Sequence, residues 1–441
     1  MSSDRPTVES RLALPEGTLP VGFALIIAGL ATFSFFKIGE WAMGGEAEFE
    51  PIVSMWFLTF SLAPGFFLPL EQELGRAVSH RRAREEGGRP VVRRVARLGA
   101  ITTALVLVLI FAASPIITTE YFDGDWWMLL ALVTSFAAYA PAHIARGISA
   151  GMGRFKSYAL IMGTDGVIRI IACVILAVLG VKAAGPYGFA VALAPLVPVA
   201  YVWMRGQLKT EEGPPAPWNE VTQNLGWLLC GTVCSAALLN AGPVAARIMS
   251  NPEERALVPF FAYGVLLARI PLFLFQAVQA ALLPRLARLA ARGEFDEFRS
   301  GLQKLLYLVA IVGVVGTSGA FVLGPFAAEL MYDADLSGRT LAMLALSSAL
   351  YMGCIATAQA VIALHGHAAV ALGWAVGVGV FFLGTWLSSD RLFARIEIGL
   401  VLSSATALTF FSVVLRQRLA AGVQPTTESV LEAIIDLPYE G

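Results

Sequence analysis

The apolar residues gather in long runs broken by short polar segments. A bilayer core about 30 Å thick is crossed by roughly 20 apolar residues in a helix. Twelve runs meet that length: 18–43, 51–74, 98–117, 126–150, 157–180, 185–205, 222–246, 257–283, 305–326, 339–363, 366–388 and 396–415. The first run reads as a retained span and not a signal peptide. It is too long, its leading segment is not basic, and Lys37 interrupts it. Prolines fall inside several runs, among them Pro64, Pro69, Pro141, Pro243 and Pro271. Membrane helices tolerate them when neighbouring helices or cavity water satisfy the freed carbonyls.

Composition agrees with this pattern. Hydrophobic residues make up 57% of the 441 and charged ones 14%, with a mean hydropathy of +0.71. A soluble globular protein is about 25% charged, so a soluble enzyme is excluded, as are disordered and collagen-like chains. The net charge of −1 gives no reason to expect nucleic acid as a partner. Four cysteines, all inside apolar runs, are too few for a disulfide scaffold.

Orientation follows from where Lys and Arg lie. With the N-terminus in the cytoplasm, 22 of the 31 basic residues fall in inner segments and 6 in outer loops. Eight of the 22 are arginines between Arg76 and Arg97. Both termini are therefore expected on the cytoplasmic side. Arg247, at the outer end of the seventh run, reads as interfacial, and Asp123-Gly124-Asp125 reads as an outer turn.

The chain also repeats itself. An offset of 207 residues superposes Pro64 on Pro271, Gln72 on Gln279, Arg81 on Arg288 and Arg97 on Lys304. Spans one to three fall on spans seven to nine. Six spans is an even number, so both halves enter the membrane in the same sense. The expected fold is an all-α polytopic membrane protein, two six-helix bundles related by a pseudo-two-fold axis along the membrane normal. The expected organisation is an N-terminal segment 1–17, bundles 18–205 and 222–415, a cytoplasmic linker 206–221 and a tail 416–441.

Candidate chemistry lies in the charges within spans. A charge at mid-bilayer costs about 2.5–3.5 kcal/mol on insertion scales, so it faces a cavity or a partner. Asp165 and Arg169 are four apart near the middle of span five and can pair. Arg269 lies at similar depth in span eight. Two guanidiniums facing one cleft would bind a diphosphate by charge and by bidentate hydrogen bonds. Against that, Asp165–Arg169 can be a buried pair only, and Arg269 can snorkel. Lys37, with Glu40 three residues on, lies near the outer end of span one and suits either a cavity or the interface. Gln276 and Gln279 are costly in lipid and should face inward, to hydrogen-bond sugar hydroxyls or to bridge helices. The chain has no Gly-Lys dipeptide, hence no phosphate-binding P-loop, and no metal-ligand spacing.

Three stretches carry a resemblance: Pro69-Leu-Glu-Gln-Glu-Leu-Gly-Arg76, Arg146-Gly-Ile-Ser-Ala-Gly-Met-Gly-Arg-Phe155, and Arg269-Ile-Pro-Leu-Phe-Leu-Phe-Gln-Ala277 with Leu282–Leu286. The chain resembles the multidrug/oligosaccharidyl-lipid/polysaccharide exporter superfamily, in particular its bacterial polysaccharide-transporter branch. The resemblance implies a flippase, not an enzyme, moving a lipid-diphosphate-linked oligosaccharide by alternating access. It would work in a bacterial cytoplasmic membrane, beside a glycan polymerase and glycosyltransferases. Arg169, Arg269, Gln276, Gln279 and Lys37 would meet substrate. No cofactor is implied, but coupling to a proton or sodium gradient is, with Asp165 as the coupling acid. The alternative is a cation-coupled multidrug or small-molecule exporter of the same fold. A membrane glycan polymerase is disfavoured by the short outer loops.

Overall fold

In hydrocarbon a spanning segment must satisfy its backbone polar groups internally, and a helix does so. The computed structural model describes residues 18–218, 220, 225–272, 275, 289–290, 292–364 and 366–421. In chain order the helices are α1 (Thr18–Met43), α2 (Glu46–Ala83), α3 (Arg89–Ala112), α4 (Trp126–Gly151), α5 (Phe155–Val178) and α6 (Ala184–Leu193, resuming as Leu196–Met204 past Pro195). Then come α7 (Leu225–Met249), α8 (Val258–Ala268), α9 (Phe295–Tyr332), α10 (Gly338–Ala363), α11 (His367–Leu387) and α12 (Leu392–Ala420). Among the described residues twelve helical stretches are long and apolar enough to cross a membrane, and there is no strand. The chain is a multi-pass membrane protein. The expected N-terminal segment 1–17, residues 422–441 of the expected tail 416–441, and the candidate residues Gln276 and Gln279 lie outside the described residues.

Several helices outrun their apolar stretches. The third run begins at 98, yet α3 begins at Arg89; the ninth begins at 305, yet α9 begins at Phe295. The apolar run marks the bilayer, whereas helical hydrogen bonding continues into water. The extra turns carry Arg81, Arg89, Arg93, Arg94 and Arg299, whose heads reach water or a partner. At its other end α3 stops at Ala112, short of the expected 117, before a proline-containing turn at Ser114–Ile116 and a π-turn at Ile117–Tyr121.

The helices form two six-helix halves with one pairing scheme. In the first, α1 packs on α5, α2 on α4 and α4 on α6; in the second, α7 packs on α11, α8 on α10 and α10 on α12. The offset of 207 would place Arg89, the first residue of α3, on Asp296, one residue past the start of α9. At the fourth helix the offset is 212, from Trp126 at the start of α4 to Gly338 at the start of α10, and at the sixth it is 208, from Ala184 to Leu392. Hence the register seen in the sequence for the first three helices of each half is not constant along the rest.

The segment joining the halves is docked on the end of α2 and the start of α3; that side of the molecule is called the linker face, and the opposite side the far face. Arg81 pairs with Glu220 at 2.7 Å and donates to the Pro214 carbonyl at 2.7 Å. Arg89 pairs with Glu212 at 2.6 Å, and the Arg94 guanidinium lies 4.3 Å from the Trp218 ring centroid. The arginine-rich loop therefore has a structural task of its own: it holds the segment between the halves.

Candidate functional site: a proline-linked seam and two mid-membrane arginines

A proline inside a helix removes the N–H that would bond the carbonyl four residues back. In α2, Pro64 frees the Phe60 carbonyl and Pro69 frees that of Gly65. Both are taken by α7, across the boundary between the halves. Asn240 Nδ2 donates to Phe60 O at 2.9 Å, and Thr232 Oγ1 donates to Gly65 O at 2.8 Å. In α7 itself Pro243 frees the Leu239 carbonyl, and Arg269 Nη2 donates to it. Close approach of the two backbones requires Gly65, since a Cβ there would lie 2.6 Å from Val233 Cα. Helices α2 and α7 thus form a hydrogen-bonded seam between the halves.

Arg269 ends α8 and is buried. Its Nη1 donates to Asn240 Oδ1 at 2.9 Å, and its guanidinium lies 5.6 Å from the Phe57 ring centroid. Among the described residues its hydrogen-bond partners are neutral dipoles, an amide oxygen and a carbonyl. Arg169 is buried on α5 and pairs with Asp165 one turn back. Its guanidinium lies 4.6 Å from the Trp56 centroid and 5.8 Å from that of Phe60. Trp56, Phe57 and Phe60 occupy about one turn of α2. The two arginines therefore sit at one depth, each against that turn. The cavity beside Arg269 measures about 20 Å³ and is bordered by Ser347, Tyr351 and Ser404. It has room for about one water, so a diphosphate reaches Arg269 only if the neighbouring helices part.

Asp165, Arg169 and Arg269 are thus brought to a common level. Lys37 is not with them: it pairs with Asp333 at 2.7 Å near the far face. There the halves also meet through rings. Phe36 of α1 lies 6.0 Å from Tyr263 of α8, and Tyr263 stacks on Tyr332 of α9 at 4.5 Å. Arg247 differs from expectation. It is fully buried and not interfacial, because three acceptors of the first half surround it. It lies 3.3 Å from Glu50 and 2.7 Å from Asp123, and its Nε donates to Tyr121 O at 2.8 Å. Arg255 also pairs with Asp123, so the expected outer turn is a joint between halves.

A buried knot on the linker side was not singled out from the sequence. Glu71 Oε2 accepts from Arg146 Nε at 3.0 Å, and His143 Nδ1 lies 2.7 Å away from the same oxygen. Tyr158 OH donates to Oε1 at 2.9 Å. The knot ties α2, α4 and α5 together. A Cβ on Gly147 would sit 2.8 Å from Glu71 O, so α4 approaches α2 closely at that point. Two of the three stretches that carry the family resemblance, 69–76 and 146–155, are therefore two sides of one contact. The available signal was an acid in one apolar run and a His/Arg pair three apart in another; their pairing is not readable from spacing.

No protein-family model matches the sequence, and no curated protein sequence matches it. Solved structures do match its fold over nearly the whole length. An inward-facing multidrug resistance MATE family transporter of the MOP superfamily superposes with a TM-score of 0.70 at 12% identity, over 91% of this chain and 98% of that one. An outward-facing MATE family transporter gives 0.67 at 13%, over 92% and 96%. A variant of the Vibrio cholerae MATE transporter VcmN gives 0.67 at 15%, over 92% and 97%. The chain has the fold of the MATE transporters, two six-helix halves in a membrane.

Proposed function

We propose that the protein is an alternating-access exporter, coupled to a cation gradient, that carries small organic molecules through the space between its halves. The observation that carries this reading is the boundary itself. At mid-depth the halves are joined along α2 and α7. At the far face they meet through ring stacks and ion pairs that can separate without unfolding either half. Proteins of this fold are known in inward-facing and outward-facing forms, and both resemble this chain. With the linker face in the cytoplasm, as the distribution of Lys and Arg favours, the present state is closed to the outside. Asp165 is the acid proposed for coupling. It is half-buried in an ion pair with the buried Arg169 beside the seam, and a change in its charge would release Arg169.

A second reading has one specific observation in its favour. Arg269 bears a buried positive charge whose partners among the described residues are neutral, which suits an anionic substrate better than an organic cation. A lipid-diphosphate-linked oligosaccharide is such a substrate. The protein would then serve cell-surface polysaccharide synthesis beside a glycan polymerase and glycosyltransferases. Arg169, Arg269, Gln276 and Gln279 would line its path, and Lys37 would meet it only at the far face.

Proteoliposomes separate the two. Gradient-driven movement of fluorescent organic cations, without transfer of a labelled lipid-diphosphate-oligosaccharide between leaflets, supports the first reading. Leaflet transfer of the labelled lipid, without cation movement, supports the second. Neither activity in a folded, correctly oriented preparation overturns both.

A further inference from the structure

At the far face the two halves are latched twice, and the latches follow the internal repeat. Each joins a basic residue on the first helix of one half to an aspartate after the third helix of the other. Lys37 of α1 meets Asp333, which caps α9; Arg247 of α7 meets Asp123, which follows the turn after α3. Both aspartates have φ of 50°. This left-handed conformation is uncommon outside glycine, and aspartate tolerates it better than most residues. In each case the chain is reversing after the third helix, so the carboxylate stands over the boundary.

The latches are unequal. The side chains of Lys37 and Asp333 are 41% and 78% exposed. That of Arg247 is 0% exposed, and Glu50, Tyr121 and Arg255 share in its latch. The strong latch continues the α2–α7 seam, with Thr232 on Gly65 and Asn240 on Phe60 below it. The weak latch stands on the α1–α9 side. Beneath it α1 meets the second half through ring contacts, Phe36 on Tyr263 and Phe33 on Tyr332.

We infer that the far face opens on one side, with the α2–α7 seam as the hinge and Lys37–Asp333 as the catch on the opening edge. The inference rests on the alternating-access reading, but its test needs no substrate, so a missing transport activity and a wrong hinge give different results. In a background without Cys173, Cys230, Cys234 and Cys354, spin-label pairs are placed at Trp41→Cys with Asp335→Cys for the α1–α9 edge, and at Glu120→Cys with Pro252→Cys for the seam edge. All four native side chains are exposed. Distances are measured by pulsed electron resonance in nanodiscs. Lys37→Gln should raise the ratio of long to short distances at the α1–α9 edge about fivefold, the size expected for loss of one partly exposed ion pair. The seam-edge distance should stay unchanged. The reversed pair Lys37→Asp with Asp333→Lys should restore the original distribution. An unchanged α1–α9 distance in Lys37→Gln overturns the catch. Equal lengthening at both edges overturns the hinge. A folded reversed pair that behaves like the single variant overturns the ion pair as the cause.

Discussion

Arg169 and Arg269 lie at one depth against one turn of α2, yet the two halves stabilise them differently. The first half supplies a carboxylate, Asp165, one turn earlier on the same helix. The second supplies dipoles: a carbonyl freed by Pro243 and the side chain of Asn240, which also holds the carbonyl freed by Pro64. In the first half the charge is neutralised within α5. In the second it is tied to the boundary between halves, so a motion of α2 against α7 is felt at Arg269 before it is felt at Arg169. The repeat does not predict this. An offset of 207 places Arg269 on Leu62, and one of 212 places Arg169 on Phe381, so neither arginine has a counterpart. The two halves share a scaffold and have acquired their charges separately.

The sharpest way to break the comparison is to remove the carboxylate. Asp165→Asn leaves Arg169 buried without its counter-charge, a change that typically costs about 3–5 kcal/mol. Stacking on Trp56 remains and should hold the loss near the lower end. Thermal unfolding in detergent measures it. The double variant Asp165→Asn with Arg169→Gln should recover most of the stability, because no charge is then stranded. A double variant as unstable as the single one would show that the pair does more than neutralise itself. Full gradient-driven transport by the stable double variant would remove Asp165 as the coupling acid.

Arg269→Gln should cost less, about 1–3 kcal/mol, because it strands neutral acceptors and no charge. It also has a remedy that the first half lacks. Pro243→Ala returns a backbone N–H to the Leu239 carbonyl, so it should restore part of the stability lost in Arg269→Gln. If Pro243→Ala gives no rescue, Arg269 is not held by the proline-freed carbonyl as the geometry indicates. The transport readout is separate: a rescued double variant that still fails to move any anionic lipid would assign Arg269 a contact with substrate.

These variants mark where the chain was legible. Bilayer thickness dictates the length of an apolar run, so all twelve spans could be counted, and the arginines stood out because charge in hydrocarbon is costly. The 207-residue register could be seen for the first three helices of each half; it shifts to 212 at the fourth and fifth, because the connection after the third helix differs. The partners of the charges were harder. Asp165–Arg169 follows from helical spacing, but Asn240 lies 29 residues from Arg269, and Asp123 lies 124 from Arg247. Only packing of the halves brings those together. Arg247 sits at a helix end and by position reads as interfacial; a neighbouring half covers it. The prolines were a half-legible signal. Each announces a free carbonyl four residues back, but the helix that takes it is known only once α2 and α7 are in contact.

The smallest expected effect tests that last point most directly. Thr232→Val removes the hydroxyl that bonds Gly65 O and keeps the shape of the side chain. Hydrogen bonds between membrane helices average about 0.6 kcal/mol, so the single variant should lose roughly that amount. Pro69→Ala supplies a backbone N–H to the same carbonyl from within α2, so in its presence Thr232 has less to donate to. If the seam works through the proline-freed carbonyl, Thr232→Val should cost almost nothing in the Pro69→Ala background. The two changes would then be non-additive by nearly the full value of the bond. Additive losses would mean that Thr232 stabilises α7 through its own carbonyls at Leu228 and Leu229, to which its hydroxyl is also within bonding distance. In that case Gly65 and Thr232 would be neighbours by packing alone, and the hydrogen-bonded seam would reduce to Asn240 with Arg269.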